Sequence, residues 1–215
     1  MPRIVIFLDL DDTILQTAPK CPPAEPVAPA AVDRAGRALS FMTRAQQRLL
    51  AFWLERGTVI PVTGRTDEAL ARVTLKFESW RITHHGAVIR QPDGRLPAWW
   101  HDEIRPLLVA AQPLLWEYAA SLERDAATEG YRVRSHSVDE WLTYISVKAN
   151  ADDVVLTELR TRLLPSVCRR NWRCTTMGTI WRSPFGAYRS TMPCGGWRWN
   201  WNRRVPSSPS APATA

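Results

Sequence analysis

Lysine is scarce in this chain, and acidic residues are absent from its last quarter. Lys20, Lys76 and Lys148 are the only lysines among 28 basic residues, and no Asp or Glu follows Glu158. From residue 159 onward the chain carries ten Arg, whereas residues 1–158 hold all 21 acids. The net charge of +7 therefore comes from the end of the chain. Because the excess positive charge is confined to one end, the net charge of the whole chain does not indicate a nucleic-acid-binding domain.

The cysteine spacing provides neither a zinc site nor a disulfide framework. Cys21, Cys168, Cys174 and Cys194 form no CxxC pair, so we expect free thiols. No apolar run approaches the length of a membrane span, and the first ten residues do not resemble a signal peptide. We therefore expect a soluble cytoplasmic protein that does not bind a membrane.

The most informative feature is a cluster of acids directly after an apolar run. Residues 4–8 read Ile-Val-Ile-Phe-Leu, which predicts a strand over 3–9 that is buried on both faces of a parallel sheet. Asp9, Asp11 and Asp12 follow at once, together with Thr13. Carboxylates this close together repel one another and lose hydration, which is costly unless a divalent cation neutralises them.

Strand and helix patterns alternate through the next eighty residues. Residues 17–40 are rich in Pro and Ala and are predicted to form a loop. Thr43 is predicted to be the N-cap of the first helix, and Gly57 to end it. The predicted strands are 3–9, 58–63, 80–84 and 87–90, and the predicted helices are 44–56 and 66–75. This order predicts an α/β protein with a Rossmann-like, doubly wound parallel sheet.

Functional sites in such sheets lie beyond the carboxyl ends of the strands. Asp9 and Thr63 both fall at such ends, so we expect them to meet in space although they lie 54 residues apart.

The pattern changes near residue 98, which predicts a second unit of the chain. A long helix with an apolar side is expected to be broken or kinked at Pro106 and Pro113. Strands over 131–138 and 141–147 follow, and then a helix over 151–164. The predicted domains are a core at 1–97, an inserted α+β cap at 98–165 and an irregular Arg/Trp-rich tail at 166–215.

The order of these motifs resembles the haloacid dehalogenase superfamily of phosphatases. The resemblance rests on the apolar strand, on the Asp-x-Asp-x-Thr of residues 9–13, and on the second strand ending in Thr63-Gly64-Arg65. It covers roughly residues 1–165. More narrowly, the chain resembles the branch with a large α/β cap, which includes sucrose-phosphate, trehalose-phosphate and mannosyl-phosphoglycerate phosphatases.

The resemblance implies hydrolysis of a phosphorylated sugar or similar small metabolite through an aspartyl-phosphate. Asp9 would be the nucleophile and Asp11 the general acid and base. Mg²⁺ would be held by an Asp9 oxygen and the Asp11 backbone carbonyl. Thr63, Gly64 and Arg65 would bind the phosphate. A separate set of residues, Asp12 and Thr13, would brace the loop.

Several of these residues also have ordinary structural explanations. Residues 9–13 could form a strand end followed by an Asx turn, and Arg65 could pair with an acid instead of touching substrate. His84 and His85 suggest metal, but adjacent strand side chains point to opposite faces, which favours a structural or hinge role. Trp99 and Trp100 could stack on a sugar or pack in the core. His136 and Glu140 on the cap could select the substrate.

Two parts of the superfamily pattern are missing. No lysine has the context of the one that steadies the nucleophile, and no acid-rich loop follows the cap to complete the Mg²⁺ site. We therefore expect the core to be incomplete at its C-terminal side, the activity to be impaired and the fold to be poorly stable, with an open sheet edge.

The tail has the properties of a segment translated out of frame. If the codons from Tyr188 are read from their third bases, they permit Ser-Lys-His-Asp-Ala-Val-Arg-Trp-Leu-Ala-Leu-Glu-Leu-Glu, an amphipathic helix that opens with Ser-Lys. The first Ala and the final Glu-Leu-Glu are forced by Met192-Pro193 and by residues 199–202. We hypothesise a frame change within 160–172. The alternatives are a tail that binds single-stranded nucleic acid, an extension without function, and a non-catalytic remnant of the phosphatase fold.

Overall fold

The computed structural model describes residues 4–22, 27–149, 153–169, 172–174 and 179–182. The strands are β1 (Ile4–Asp9), β2 (Gln16–Thr17), β3 (Val27–Val32), β4 (Ala38–Thr43), β5 (Gly57–Val62), β6 (Arg81–Thr83), β7 (Val88–Arg90), β8 (Tyr131–Val138), β9 (Trp141–Ala149), β10 (Trp172–Cys174) and β11 (Thr179–Arg182). The α-helices are α1 (Arg44–Arg56), α2 (Asp67–Ala71), α3 (Arg105–Glu129) and α4 (Asp153–Arg169). Single turns of tighter or wider helix lie at Ala18–Lys20, His84–Gly86 and Trp100–Ile104.

The first sheet has the strand order β1-β5-β6-β7. β1 pairs with β5 in parallel, β5 pairs with β6 in parallel, and β7 turns back as an antiparallel neighbour of β6. The register places Asp9 opposite Val62, one residue before Thr63. The carboxyl ends of β1 and β5 therefore lie side by side, as the sequence predicted.

β1 is buried on one face only, which corrects the prediction of two buried faces. Leu8 is buried with Ile6 packed beside it, whereas Val5 and Phe7 are about half exposed. Among the described residues, β1 has a strand neighbour on one side only. Within the described structure β1 is thus an edge strand with one exposed face, and the incomplete core stays a prediction.

The Pro/Ala-rich segment is a small sheet rather than a loop. β2, β4 and β3 form an antiparallel sheet in which Ala30 and Ala31 are fully buried. The ladder shifts register after Pro29, because proline has no N–H to donate and is accommodated at an edge or bulge. Composition alone predicted a loop since small side chains carry little periodic signal, but burial against the first sheet stabilises the strands.

Helix α1 begins and ends where the sequence predicted. The Thr43 side chain accepts a hydrogen bond from the Gln46 backbone, and the Gln46 side chain accepts one from the Thr43 backbone. This reciprocal capping box satisfies two N–H groups that a helix start leaves unpaired. Helix α2 is shorter than predicted, with Thr66 as its N-cap.

The second sheet has the strand order β10-β11-β9-β8, and α3 packs against β8 and β9. Its core joins α3 side chains such as Leu115 and Leu122 to Leu142 and Ile145 of β9. Helix α3 continues through Pro113, so the chain is not broken there, whereas a kink at Pro113 stays a prediction. Pro106 lies at the start of α3, directly after the wider turn Trp100–Ile104.

Regular structure continues past residue 165, where the sequence predicted an irregular tail. Helix α4 ends at Arg169, and β11 pairs with the edge of β9. Strand addition satisfies backbone groups of an exposed edge without requiring a periodic pattern of side chains. Most of the predicted tail, including the Ser-Lys segment that would begin near Tyr188, lies outside the described residues.

No helix in the described part of the chain is long and apolar enough to span a membrane. The domain limits at 97 and 165 remain predictions.

Candidate active site

Asp9 lies at the carboxyl end of β1 with its carboxylate exposed. Its Oδ2 accepts a hydrogen bond of 2.7 Å from the Thr13 hydroxyl. The intervening chain forms a tight turn, in which Ile14 and Leu15 donate their N–H groups to the Leu10 carbonyl and anchor the loop with buried apolar side chains. Thr13 thus contacts the Asp9 carboxylate directly, and the bracing function predicted for it stays a prediction.

Arg65 holds the carboxylate of Asp11 in a two-point ion pair. The guanidinium Nε and a terminal nitrogen each donate to one carboxylate oxygen at 2.8 Å. The Arg65 side chain is 15% exposed and that of Asp11 is 47% exposed. The sequence left two functions open for Arg65, contact with substrate or pairing with an acid, and the structure shows the pairing with Asp11.

Asp12 forms an ion pair with Lys20 at the surface. Its carboxylate lies 2.5 Å from the Lys20 ammonium, and its backbone adopts a left-handed φ of 61°. Aspartate tolerates this conformation better than most residues. The Asp12 carboxylate is therefore paired with Lys20 rather than placed beside Asp9, and the bracing function stays a prediction.

The loop of Thr63, Gly64 and Arg65 is held by the next turn of the chain. Thr63 is buried, and its hydroxyl accepts a hydrogen bond from the Arg65 N–H. The N–H of His84 donates to the Arg65 carbonyl at 2.8 Å, and that of His85 donates to the Thr63 carbonyl at 3.3 Å. The segment His84–Gly86, called the histidine turn below, thereby fixes both sides of Gly64.

Close packing of His85 favours glycine at position 64. A Cβ atom there would lie 2.4 Å from the Cε1 atom of His85. The imidazole of His85 therefore covers the backbone of the loop that ends β5. This proximity is a tertiary contact that the sequence does not reveal.

The histidine turn does not follow the strand geometry assumed from the sequence. His84, His85 and Gly86 all have positive φ angles, 51°, 56° and 92°. A left-handed φ costs free energy for any residue other than glycine, although histidine adopts it more often than most, and the contacts of the turn offset that cost. The two imidazoles consequently do not alternate across a sheet, and both pack near the ring of Tyr144 on β9.

His84, which follows β6 of the first sheet, is connected by hydrogen bonds to β9 of the second sheet. Its Nε2 accepts from the Asp67 N–H at 3.4 Å, so we assign the proton to Nδ1, which lies 2.8 Å from the Thr143 hydroxyl. That hydroxyl donates in turn to the His136 carbonyl at 2.8 Å. Burial lowers the pKa of His84 to about 4 against the opposing effect of Asp67, while His136, Arg90 and His85 add to the depression.

His136 stacks on Tyr144 with 4.2 Å between ring centroids, and its Nε2 lies 2.9 Å from the Ser146 hydroxyl. Burial is the main cause that lowers the pKa of His136 to about 4, with contributions from Arg134, His85 and Lys148. Burial likewise lowers the pKa of His85 and raises that of Tyr144 to about 12. The cluster is therefore uncharged near neutral pH.

The described residues offer a cation a partial set of ligands. They contain no group of three or more His, Cys, Asp or Glu side chains arranged to hold a metal. The Asp11 carboxylate is engaged by Arg65 and that of Asp12 by Lys20, so Asp9 is the remaining carboxylate of the cluster. Mg²⁺ commonly takes one or two carboxylates and completes its shell with water and phosphate, and this loop fits that limited role.

The other residues singled out in the sequence have structural surroundings. Trp100 is fully buried and donates its indole N–H to the Ala87 carbonyl, which is the core packing that the sequence left open, whereas Trp99 is partly exposed. Glu140 lies exposed in the turn between β8 and β9. A cavity of about 300 Å³ lined by Glu129 and Arg162 lies between α3 and α4, on elements that contribute no predicted site residue.

Sequence reasoning missed two residues that support the site. Ser40 of β4 is buried and lies 3.4 Å from the Arg65 guanidinium. Gln46 donates its side-chain N–H to the Thr13 carbonyl, which ties α1 to the Asp9–Thr13 loop. The capping-box spacing from Thr43 could have singled out Gln46, whereas Ser40 carried no signal within a segment predicted to be a loop.

Comparison with solved structures identifies the fold. The C-terminal domain of trehalose-6-phosphate phosphatase from C. albicans aligns with a TM-score of 0.51 at 12% identity. The alignment covers 84% of this chain and 57% of that one, so this chain spans little more than half of that domain.

Two further structures align less well. A trehalose-6-phosphate phosphatase related protein gives a TM-score of 0.47 at 16% identity over 83% of this chain and 68% of its own. A haloacid dehalogenase-like hydrolase from B. subtilis gives 0.44 at 12% identity over 83% and 73%. No family profile and no curated protein matches the sequence.

The likeness to the C. albicans domain supports the predicted fold, a mixed α/β fold with a parallel-strand sheet. At this level of identity the comparison concerns the fold alone.

Proposed function

We propose that the chain is a phosphatase-type hydrolase acting on a small phosphorylated metabolite, with a phosphorylated sugar as the preferred class. One observation carries the proposal: Asp9 and Asp11 at the end of β1 lie beside the Thr63–Arg65 loop at the end of β5. A carboxylate nucleophile and a loop with hydroxyl and guanidinium donors are the groups that phosphoryl transfer through an aspartyl ester requires.

The reaction follows from these groups. A carboxylate oxygen of Asp9 attacks phosphorus, the bond from phosphorus to the ester oxygen breaks, and Asp11 gives its proton to the departing oxygen. Water then attacks the aspartyl-phosphate and returns a proton to Asp11, which releases inorganic phosphate and the Asp9 carboxylate. Thr63, Gly64 and Arg65 hold the phosphoryl oxygens.

Mg²⁺ would be held by Asp9 and the Asp11 carbonyl, and it would offset the negative charge of the phosphate. Arg65 engages Asp11 in the absence of substrate, and a phosphate group would compete for its guanidinium. The scarcity of further acids and lysines predicts weak turnover in this chain.

The test is hydrolysis of a panel of sugar phosphates and of p-nitrophenyl phosphate with and without Mg²⁺. We expect low turnover that depends on Mg²⁺ and falls at least about a hundredfold in Asp9→Asn. Asp93→Asn is the matched control, because Asp93 is an exposed acid in the turn after β7. Turnover that is unchanged in Asp9→Asn, or absent from the chain altogether, would contradict the proposal and favour a non-catalytic remnant.

A further inference from the structure

The histidine turn is in contact with both halves of the structure at once. Its backbone N–H groups bind the carbonyls on either side of Gly64, and its side chains reach β9 of the second sheet. The described parts of the chain thus place three consecutive left-handed residues between the proposed phosphate-binding loop and the second sheet.

The hydrogen bonds through this junction have a single direction. The Asp67 N–H donates to His84 Nε2, His84 Nδ1–H donates to Thr143, and Thr143 donates to the His136 carbonyl. His84 and Thr143 are each 2% exposed. A buried donor that loses its partner is costly, so these three bonds depend on one another.

The carboxylate of Asp67 secures the start of this chain of bonds. It accepts from the Thr83 hydroxyl at 2.7 Å and from the Arg90 guanidinium. β6, β7 and α2 are thereby joined directly beneath the histidine turn. The turn has a fixed support on the first sheet, and a hydrogen bond at Thr143 connects it to the second sheet.

We propose that His84 and Thr143 are positioning residues, which set the geometry of the Thr63–Arg65 loop according to how the second sheet is seated on the first. The imidazole contacts Thr143, and the amide of the same residue holds the Arg65 carbonyl. Displacement of β9 therefore moves the histidine turn, whose N–H groups bind the carbonyls of Thr63 and Arg65 on either side of Gly64. The functional importance of that loop rests on the proposed function, but the mechanical coupling does not.

Hydrogen–deuterium exchange of the free chain tests the coupling without any substrate. Thr143→Val keeps the side-chain shape and removes the hydroxyl. We expect amide exchange at Arg65, His84 and His85 to rise at least about tenfold, because opening of this segment becomes easier. Thr143→Ser retains the hydroxyl and should exchange at nearly the wild-type rate.

A matched control separates coupling from general weakening. Ser146→Ala removes a hydroxyl from the same strand that lies within hydrogen-bond distance of the His136 ring. It should raise exchange in β8 and β9 without a comparable rise at Arg65. If Thr143→Val and Ser146→Ala give the same pattern, the proposal is wrong.

A second pair of variants tests the junction from the other side. His84→Asn places an amide where Nδ1 stood and keeps a donor for Thr143, whereas His84→Gln mimics Nε2 and loses that donor. We expect Gln, and not Asn, to loosen the Thr63–Arg65 loop. Equal exchange in the two variants would overturn the proposal. Both results are independent of whether the chain hydrolyses phosphate esters.

Discussion

The guanidinium of Arg65 donates two hydrogen bonds of 2.8 Å to the carboxylate of Asp11, although the residues lie 54 positions apart. This ion pair joins the loop after β1 to the loop after β5. It fixes the two halves of the candidate site relative to each other. It also gives the general acid proposed for the reaction a partner that a phosphate group could replace.

The strength of this pair can be measured by a double-mutant cycle on the free energy of unfolding. Asp11→Asn, Arg65→Gln and the double variant should give a coupling of about 1 kcal/mol, since charged hydrogen bonds are worth more but the Asp11 carboxyl is half exposed. The control is the ion pair between Arg34 and Glu68, which also has two hydrogen bonds. Its side chains are 80% and 61% exposed, so its coupling should be close to zero. Equal couplings in the two cycles would contradict the prediction.

Packing of His85 on Gly64 predicts a specific pattern of non-additivity. Gly64→Ala should lower the free energy of unfolding by about 1–3 kcal/mol, because the new methyl group overlaps the imidazole. Combining it with His85→Ala should recover much of that loss. Urea denaturation of the single and double variants measures the effect, and strictly additive losses would show that the ring does not limit residue 64.

Stability should fall as the pH falls from about 6.5 to about 4. The folded pKa values of His84 and His136 are lowered to about 4, so the unfolded chain binds more protons throughout this window. The stabilisation is complete above pH 6.5 and is lost as the pH approaches 4. Each fully shifted histidine corresponds to on the order of 3 kcal/mol.

Thermal or urea unfolding at several pH values measures this slope. His84→Asn removes one of the buried histidines whose pKa is lowered and should flatten the curve between pH 6.5 and 4. His101→Asn is the matched control, because it replaces an exposed histidine outside this buried cluster. A wild-type stability that stays constant across this window would refute the prediction.

Sequencing of the coding DNA from codon 155 past codon 215 tests the frame hypothesis. We expect that one inserted or deleted base restores a helix opening with Ser-Lys, followed by a loop rich in Gly and Asp. A matched assay of the restored chain should then show much higher phosphatase turnover. Confirmation of the present frame would instead make the Arg/Trp-rich tail genuine. Salt-dependent RNA affinity that is lost on deletion of residues 165–215 would then support a nucleic-acid function.

The open edge of β1 bears on the same question. Ile4, Val5 and Phe7 are each about half exposed on a strand whose composition is that of a buried strand. Sequence periodicity reports what a strand is suited to pack against, whereas exposure depends on which elements are present. The contrast shows that the exposure of β1 is set by the elements packed on it among the described residues; the incomplete core stays a prediction.

Local chemistry determined much of the structure from the sequence alone. Thr43 and Gln46 fixed the start of α1, Gly57 fixed its end, and β8 and β9 followed from alternating residues around a turn. The meeting of Asp9 with Thr63 was also predictable, because parallel strands bring their carboxyl ends to one edge. These features depend on neighbours in sequence or on a general rule of topology.

The tertiary structure decided the features that depend on distant side chains. Arg65 pairs with Asp11, His85 covers Gly64, and His84 reaches Thr143 on the other sheet, each across 20 or more residues. Two adjacent histidines in a strand-like sequence predicted opposite faces, but contacts to both sheets hold them in a left-handed turn. Such contacts are selected by packing and by the cost of unpaired buried polar groups, and no local pattern encodes them.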